Sequence, residues 1–327
     1  MTATAPLLCV SDLRIVFDGR HGPLTALDGV SFEIAPGEIL GVVGESGAGK
    51  SLTGTAVIGL LDPPGRISGG EIRLDGQRID NLPPEQMRRL RGRRIGAIFQ
   101  DPLTSLHPLL TVGEQLVETI TTHLPVSTSE ARARALALLR QVGIPAAETR
   151  IDQYPHQFSG GMRQRVVIAL ALCAEPKLII ADEPTTALDV SIQAQITTLL
   201  KRLCREHGTA IMLVTHDMGV IAETADRVAV MYAGRIVEIG PVEQVTRWPR
   251  HPYTAGLMAS IPSVHARHAQ LNQIDGAMPR LNAIPEGCAF NPRCGRVQPL
   301  CREHKPGLPQ GTHGAACHFP LTEPAHA

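Results

Sequence analysis

The sequence predicts an α/β protein, a mostly parallel sheet with helices on its faces, and three stretches carry that reading. "GEILGVVGESGAGKSLTGTAVIGLL" (37–61) reads as a buried apolar strand, a glycine-rich turn and a helix. "PKLIIADEP" (176–184) is a short apolar strand that closes on two carboxylates. "AIMLVTHD" (210–217) repeats that design and closes on a histidine and an aspartate. Strands alternating with helices build a parallel sheet. Such sheets bind ligands at the carboxyl ends of their strands, where these polar residues fall.

The other elements fit the same plan. "RRIGAIFQ" (93–100) is a further strand, ending on Gln100. From Thr111 to about Ala147 the pattern is helical, most clearly in "EARARALALLRQVG" (130–143). Another helix is expected from Ser159 to Ala174, and "VAVMYAGRIVEIG" (228–240) reads as a hairpin about Gly234. From about residue 246 the chain becomes rich in Pro, Gly, His and Cys. The predicted organisation is therefore a main domain over 1–245, with a helical part over about 101–175, and an extension over 246–327.

Composition excludes several classes. With 43% hydrophobic residues in 327, a sizeable core can form and global disorder is excluded. Lys plus Arg and Asp plus Glu stand at 31 each, against the basic excess of a dedicated nucleic-acid binder. The longest apolar run, "VVIALALCA" (166–174), is about half of a membrane span. The opening "MTATAPLLCVSDLRIVF" lacks a basic segment followed by a long apolar run, so no signal peptide is expected.

Gly44-Glu45-Ser46-Gly47-Ala48-Gly49-Lys50-Ser51, followed by Leu52, fits the phosphate-binding pattern G-x-x-x-x-G-K-S/T between a strand and a helix. Glycines let successive N–H groups face a phosphate, and the helix N-terminus adds positive potential. Lys50 is expected to reach the β- and γ-phosphates of a nucleotide, and Ser51 to ligate Mg²⁺. Asp182, closing its strand, is placed to hold Mg²⁺ through water. Glu183 is expected to point the other way, since successive strand residues alternate, and to polarise the attacking water.

With these residues the chain resembles the ATP-binding subunits of ABC transporters over roughly residues 5–245. "FSGGMRQR" (158–165) is similar to the ABC signature, with Met162 where Gln is usual. Gln100 resembles the Q-loop glutamine, "TALD" (186–189) with Asp189 the D-loop, and His216 the switch histidine. The resemblance implies an ABC ATPase core with an antiparallel β part beside the mostly parallel sheet, and ATP hydrolysis by two such subunits that sandwich two nucleotides. In that arrangement Ser159, Gly160, Gly161 and Met162 serve the partner's nucleotide. Gln100 would contact Mg²⁺ and sense membrane subunits, and His216 would bridge the γ-phosphate. Phe17 is the candidate for stacking on adenine.

"DPLTSLHPLLTVGEQL" (101–116), "SIQAQI" (191–196) and "RHPYTAGLMASIP" (250–262) resemble the peptide and nickel importer group. That implies peptide uptake at the cytoplasmic face of the inner membrane. The implied partners are a homologous second ATPase subunit, two permease subunits and an extracytoplasmic substrate-binding protein. Nickel or glutathione are alternative cargoes. A soluble ABC ATPase acting on ribosomes or DNA is disfavoured, because the chain has neither a second cassette nor a long coiled-coil insertion.

Cys288, Cys294, Cys301 and Cys317 gather in the tail, and four thiolates suit a tetrahedral zinc or an iron–sulfur cluster. The importer group resembles this tail and implies a 4Fe–4S cluster, with zinc as the alternative. Its expected role is a structural staple. His313 and His318 could substitute as ligands but read rather as solvated neighbours, and Cys9, Cys173 and Cys204 as small buried hydrophobes.

Overall fold

A computed structural model describes residues 5–19, 22–186, 188–261 and 273–322. Ala187 of the D-loop stretch and Pro262 of the importer-like stretch lie outside the described residues. The chain runs through β1 (Leu8–Gly19), β2 (Gly22–Ile34), β3 (Ile39–Val43), α1 (Lys50–Val57), β4 (Gly65–Leu74), β5 (Gln77–Arg78), α2 (Pro84–Leu90) and β6 (Ile95–Ile98). The helices α3 (Pro102–Ser105), α4 (Val112–His123), α5 (Thr128–Gln141), α6 (Ala147–Arg150) and α7 (Gly160–Leu172) follow. Next come β7 (Leu178–Asp182), α8 (Val190–His207), β8 (Ala210–Val214), α9 (Met218–Thr224), β9 (Arg227–Tyr232) and β10 (Arg235–Pro241). The chain closes with α10 (Val242–Arg247), α11 (Pro252–Ala259), α12 (Pro299–Glu303) and β11 (Gly314–Ala315).

The described residues fall into two compact units. The first comprises those within Met1–Leu8, Ile34–Ile39 and Leu74–Leu213, the second those within Cys9–Glu33, Leu40–Arg73 and Val214–Ala327. In the first unit β8, β7 and β6 are neighbours, and β6 pairs β7 in parallel from Ile95↔Leu178 to Ile98↔Ala181. Local sequence explains its helices. Thr111 and Glu114 close a capping box at the start of α4, and Ser127 caps α5. Val112, Leu116 and Ile120 of α4 and Ala131, Ala135 and Leu139 of α5 are buried at helical spacing. Helix α7 is buried nearly all round through Val166, Val167, Ile168, Ala169, Ala171 and Leu172. The longest apolar run is therefore a core helix. Among the described residues no helix is long and apolar enough to cross a membrane.

In the second unit β3 pairs β9 in parallel, Leu40↔Arg227 to Val43↔Val230, while β9 and β10 form the antiparallel hairpin. β11 adds to β10 through Glu238↔Ala315 and Ile239↔Gly314. A separate sheet holds β2, β1 and β4 as neighbours. Leu13, Ile15, Leu27, Val30 and Ile72 are fully buried here, each contributing about 1.5–3 kcal/mol. These long N-terminal strands were not located by the sequence reading.

Gly234 turns the hairpin with φ +75°, where an added Cβ would run into the Ala26 carbonyl oxygen. Its N–H donates to Ala48 O at 3.0 Å and its carbonyl accepts from Asp28 N at 3.0 Å, so the turn also holds the glycine-rich loop. Gly234→Ala is expected to destabilise the protein by about 2–4 kcal/mol, from left-handed strain plus the clash. Urea denaturation reads this directly, and an unchanged midpoint would refute it.

Candidate functional site

The glycine-rich loop leaves β3, which is buried along its whole length, and enters α1. Gly44 has φ +154°, and a Cβ there would meet the Met231 carbonyl oxygen, so the first glycine is required by close backbone approach. The Lys50 side chain folds along the loop, its Nζ donating to Gly44 O at 2.8 Å and Glu45 O at 3.0 Å. That folds the ammonium back against the carbonyls that open the loop. Ser51 follows, exposed, on the first turn of α1.

His216 is exposed just past β8, and the preceding Thr215 donates its N–H to Val42 O at 3.1 Å, on the strand that leads into the loop. The aspartate beside it has a structural role, since the Asp217 carboxylate caps α9 by accepting from Gly219 N and Val220 N. Phe17 is half-buried on β1. Its ring lies against Gly65, where an added Cβ would approach Phe17 Cε1 to 2.8 Å.

In the first unit Gln100 and Glu183 meet. Gln100 Nε2 donates to Glu183 Oε2 at 3.2 Å, and Thr186 Oγ1 donates to the same oxygen at 2.7 Å. The strand ends at Asp182, and Glu183 has φ +47°. Glu183 thus lies in a left-handed turn just past the strand, outside the alternation from which its direction was expected. A non-glycine residue held there stores about 1–3 kcal/mol of strain, a cost concentrated at functional sites.

The signature begins α7. Ser159 is its N-cap, accepting from Met162 N at 3.4 Å, and Ser159 and Gly160 are exposed. A Cβ on Gly160 would stand 3.8 Å from Leu188 Cδ2, and one on Gly161 would stand 2.9 Å from Ile192 Cγ2. The signature and the segment around Asp189, which is exposed at the start of α8, are therefore packed together.

The four tail cysteines also come together. Cys288, Cys294, Cys301 and Cys317 line one cavity, with His251 and Phe290 among its other walls. Burial pushes the Cys288 thiol up to about 11, and the other three cysteines add to the shift. His251 accepts from Tyr253 N at 3.1 Å through Nδ1, which leaves the proton of a neutral ring on Nε2. That nitrogen is buried with no protein partner. Among the described residues, no group of three or more His, Cys, Asp or Glu side chains is arranged to hold a single metal ion.

Two other expectations need correcting. His313 is not solvated. Its Nε2 lies 2.7 Å from Glu238 Oε1, and both side chains are buried. Cys173 and Cys204 are buried as expected, and burial raises the Cys173 thiol to about 12, but Cys9 is only half-buried.

A match to the family "ABC transporter" covers residues 27–186, and one to "Oligopeptide/dipeptide transporter, C-terminal region" covers 237–301. The dipeptide transport ATP-binding protein DppD of Haemophilus influenzae is 45% identical over 318 residues, 97% of this chain and 96% of that protein. The chain belongs to the ATP-binding subunits of ABC transporters. The oligopeptide transport ATP-binding protein OppD of Salmonella typhimurium is 49% identical over 300 residues, 92% of this chain and 89% of that protein. Among solved structures, the dimeric post-hydrolysis state of the ATP-binding cassette MJ0796, bound to ADP and phosphate, superposes with a TM-score of 0.64. It is 30% identical and matches 72% of this chain and 98% of its own. The ABC ATPase fold and ATP hydrolysis coupled to transport follow from this membership.

The sequence reading missed the contacts that the tail makes with the glycine-rich loop. Arg293 binds the Glu45 carboxylate through both terminal nitrogens, at 2.8 and 3.0 Å, and Tyr253 Oη accepts from Glu45 N at 2.9 Å. One signal was available. An acid inside a phosphate-binding loop repels the ligand unless a cation holds it.

Proposed function

We propose that this ABC ATPase energises uptake of di- or oligopeptides through separate transmembrane permease subunits. It would work with a second, homologous ATPase subunit and an extracytoplasmic substrate-binding protein, at the cytoplasmic face of the inner membrane. The observation that carries this reading is the pairing of an ABC cassette with an oligopeptide/dipeptide-type C-terminal region in one chain, at 45–49% identity to peptide-transport subunits. The proposed boundary between the two lies near residue 245.

Each residue's role follows from its chemistry. The loop from Gly44 to Gly49, apart from the Glu45 N–H that Tyr253 takes, offers backbone N–H groups to phosphate, and Lys50 neutralises its charge. Ser51, Asp182 and the Gln100 carbonyl are hard oxygen donors, which suit Mg²⁺. Glu183, oriented by Gln100 and Thr186, accepts a proton from the attacking water. The exposed start of α7, Ser159 to Met162, serves the nucleotide of a partner subunit, as an open helix N-terminus can. Asp189 and His216 complete the set, and Phe17 packs on adenine.

Two features of the tail support reading it as an iron–sulfur site. Four thiols line one cavity, and the buried Nε2 of His251 on its wall has no protein partner. We assign Cys288, Cys294, Cys301 and Cys317 as ligands of a 4Fe–4S cluster, with zinc as the competing occupant. The group would act as a structural staple for a segment built mainly of short helices and turns.

Uptake of a labelled dipeptide or tetrapeptide into cells expressing the chain with its permease subunits tests the main proposal. Lys50→Ala is expected to reduce uptake to background while membrane association persists. Full uptake with Lys50→Ala would sink it, as would salt-sensitive RNA binding by the chain without permeases.

A further inference from the structure

The Arg293–Glu45 contact joins two regions that the proposed roles treat separately. Glu45 sits between Gly44 and Ser46, inside the loop that cradles phosphate. Its carboxylate is held by a two-pronged ion pair, a geometry only arginine provides. The Arg293 side chain is 7% exposed, so water screens the pair weakly. Its Nε donates to Asp275 O at 2.8 Å, and its guanidinium lies over the rings of Tyr232 and Phe290 at 5.8 and 5.9 Å. Hydrogen bonds to Glu45 are the main reason its charge is reinforced.

The other end of this network is the cysteine cavity. Arg293 immediately precedes Cys294, and Asn291 ties the turn by donating to Cys288 O at 2.9 Å. Phe290, a wall of the cavity, packs against Tyr232, Tyr253 and His251 with ring centroids 5.3, 5.4 and 5.8 Å away. Tyr253 in turn receives the Glu45 N–H, an amide of the phosphate-binding loop itself. One aromatic cluster therefore supports both the cysteine turn and the loop.

We propose that Arg293 and Tyr253 are positioning residues for the nucleotide. They fix Glu45, and with it the phosphate-binding loop, so that occupancy of the four-cysteine site sets nucleotide affinity. The physical basis is direct. Holding the acid away from the phosphates removes a like-charge penalty, and a cysteine turn fixed by its bound group holds the guanidinium in place. The part concerning occupancy rests on the cluster assignment above, whereas the part concerning Arg293 and Tyr253 does not.

The test is equilibrium titration of full-length, anaerobically purified protein with mant-ATP and Mg²⁺, alongside iron and sulfide analysis and thermal melting. Arg293→Lys keeps the charge but loses the fork, and Tyr253→Phe loses one oxygen. Both are expected to fold and to weaken mant-ATP binding about five- to thirtyfold, within the usual range of coupling between sites. Steady-state kinetics should show this as a raised KM for ATP with kcat little changed. Wild-type affinity in both variants would overturn the positioning role. Removal of bound iron by chelation is expected to weaken binding similarly, with little further loss in Arg293→Lys. A full additional loss there would overturn the coupling. Absence of iron and sulfide from the wild-type protein would sink the cluster assignment without touching the two variants' result.

Discussion

Glu183→Gln is expected to slow ATP hydrolysis about 10²–10⁴-fold, the range for loss of a general base, while nucleotide binding survives. The substitution is nearly isosteric, and the glutamine Oε1 can still accept from Gln100 Nε2 and Thr186 Oγ1, whose bonds of 3.2 and 2.7 Å orient the native carboxylate. What is lost is basicity alone. The left-handed backbone at this position supports a functional role, because the fold retains φ +47° for a side chain where glycine would relax. Phosphate release and mant-ATP binding, measured on one preparation, separate the two effects. Hydrolysis at the wild-type rate would remove Glu183 from the mechanism.

The second large effect is expected at Cys288. The anaerobically purified wild-type chain should contain iron and acid-labile sulfide in near-equal amounts, with broad visible absorbance, and Cys288→Ser should lose both. Cys288 is tied into the cavity by more than its sulfur, since its N–H donates to Cys301 O at 2.9 Å and its carbonyl accepts from Asn291 N at 2.9 Å. Serine keeps those backbone bonds, so the variant tests ligation rather than the local turn. Ligation of this kind is worth about 10–16 kcal/mol of folding free energy for structural zinc, so its loss should also lower the melting temperature. Zinc without sulfide would replace the cluster by a single-ion staple. Neither metal would end the ligand assignment.

How far the sequence could be read depended on how local each signal was. The phosphate-binding loop, the strand ends at Asp182 and Val214 and the capped start of α7 are contiguous stretches whose spacing is imposed by one turn of backbone. All were legible. The left-handed turn at Glu183 left no trace in the sequence, because a strand-end residue leaves the pleat and φ at the first loop residue is not encoded in alternation. Arg293 and Glu45 lie 248 positions apart, and an ion pair at that separation leaves no periodic trace. The same holds for His313 and Glu238, whose pairing converts an apparently solvated histidine into a buried one.

Glu238 has a consequence for how the molecule can be divided. Its carboxylate is fully buried in β10 and accepts from Arg250 N at 2.7 Å, His251 N at 2.9 Å and His313 Nε2. All three donors lie beyond residue 245. A fragment ending there would lose all three donors and the strand β11 that pairs with β10 at this residue, leaving an unpaired acid on an opened sheet edge. A cassette shortened to residue 245 is therefore expected to be less stable than the full chain, and a change at position 238 to recover part of the loss. Limited proteolysis that removes the tail should yield a precipitating core rather than a free domain.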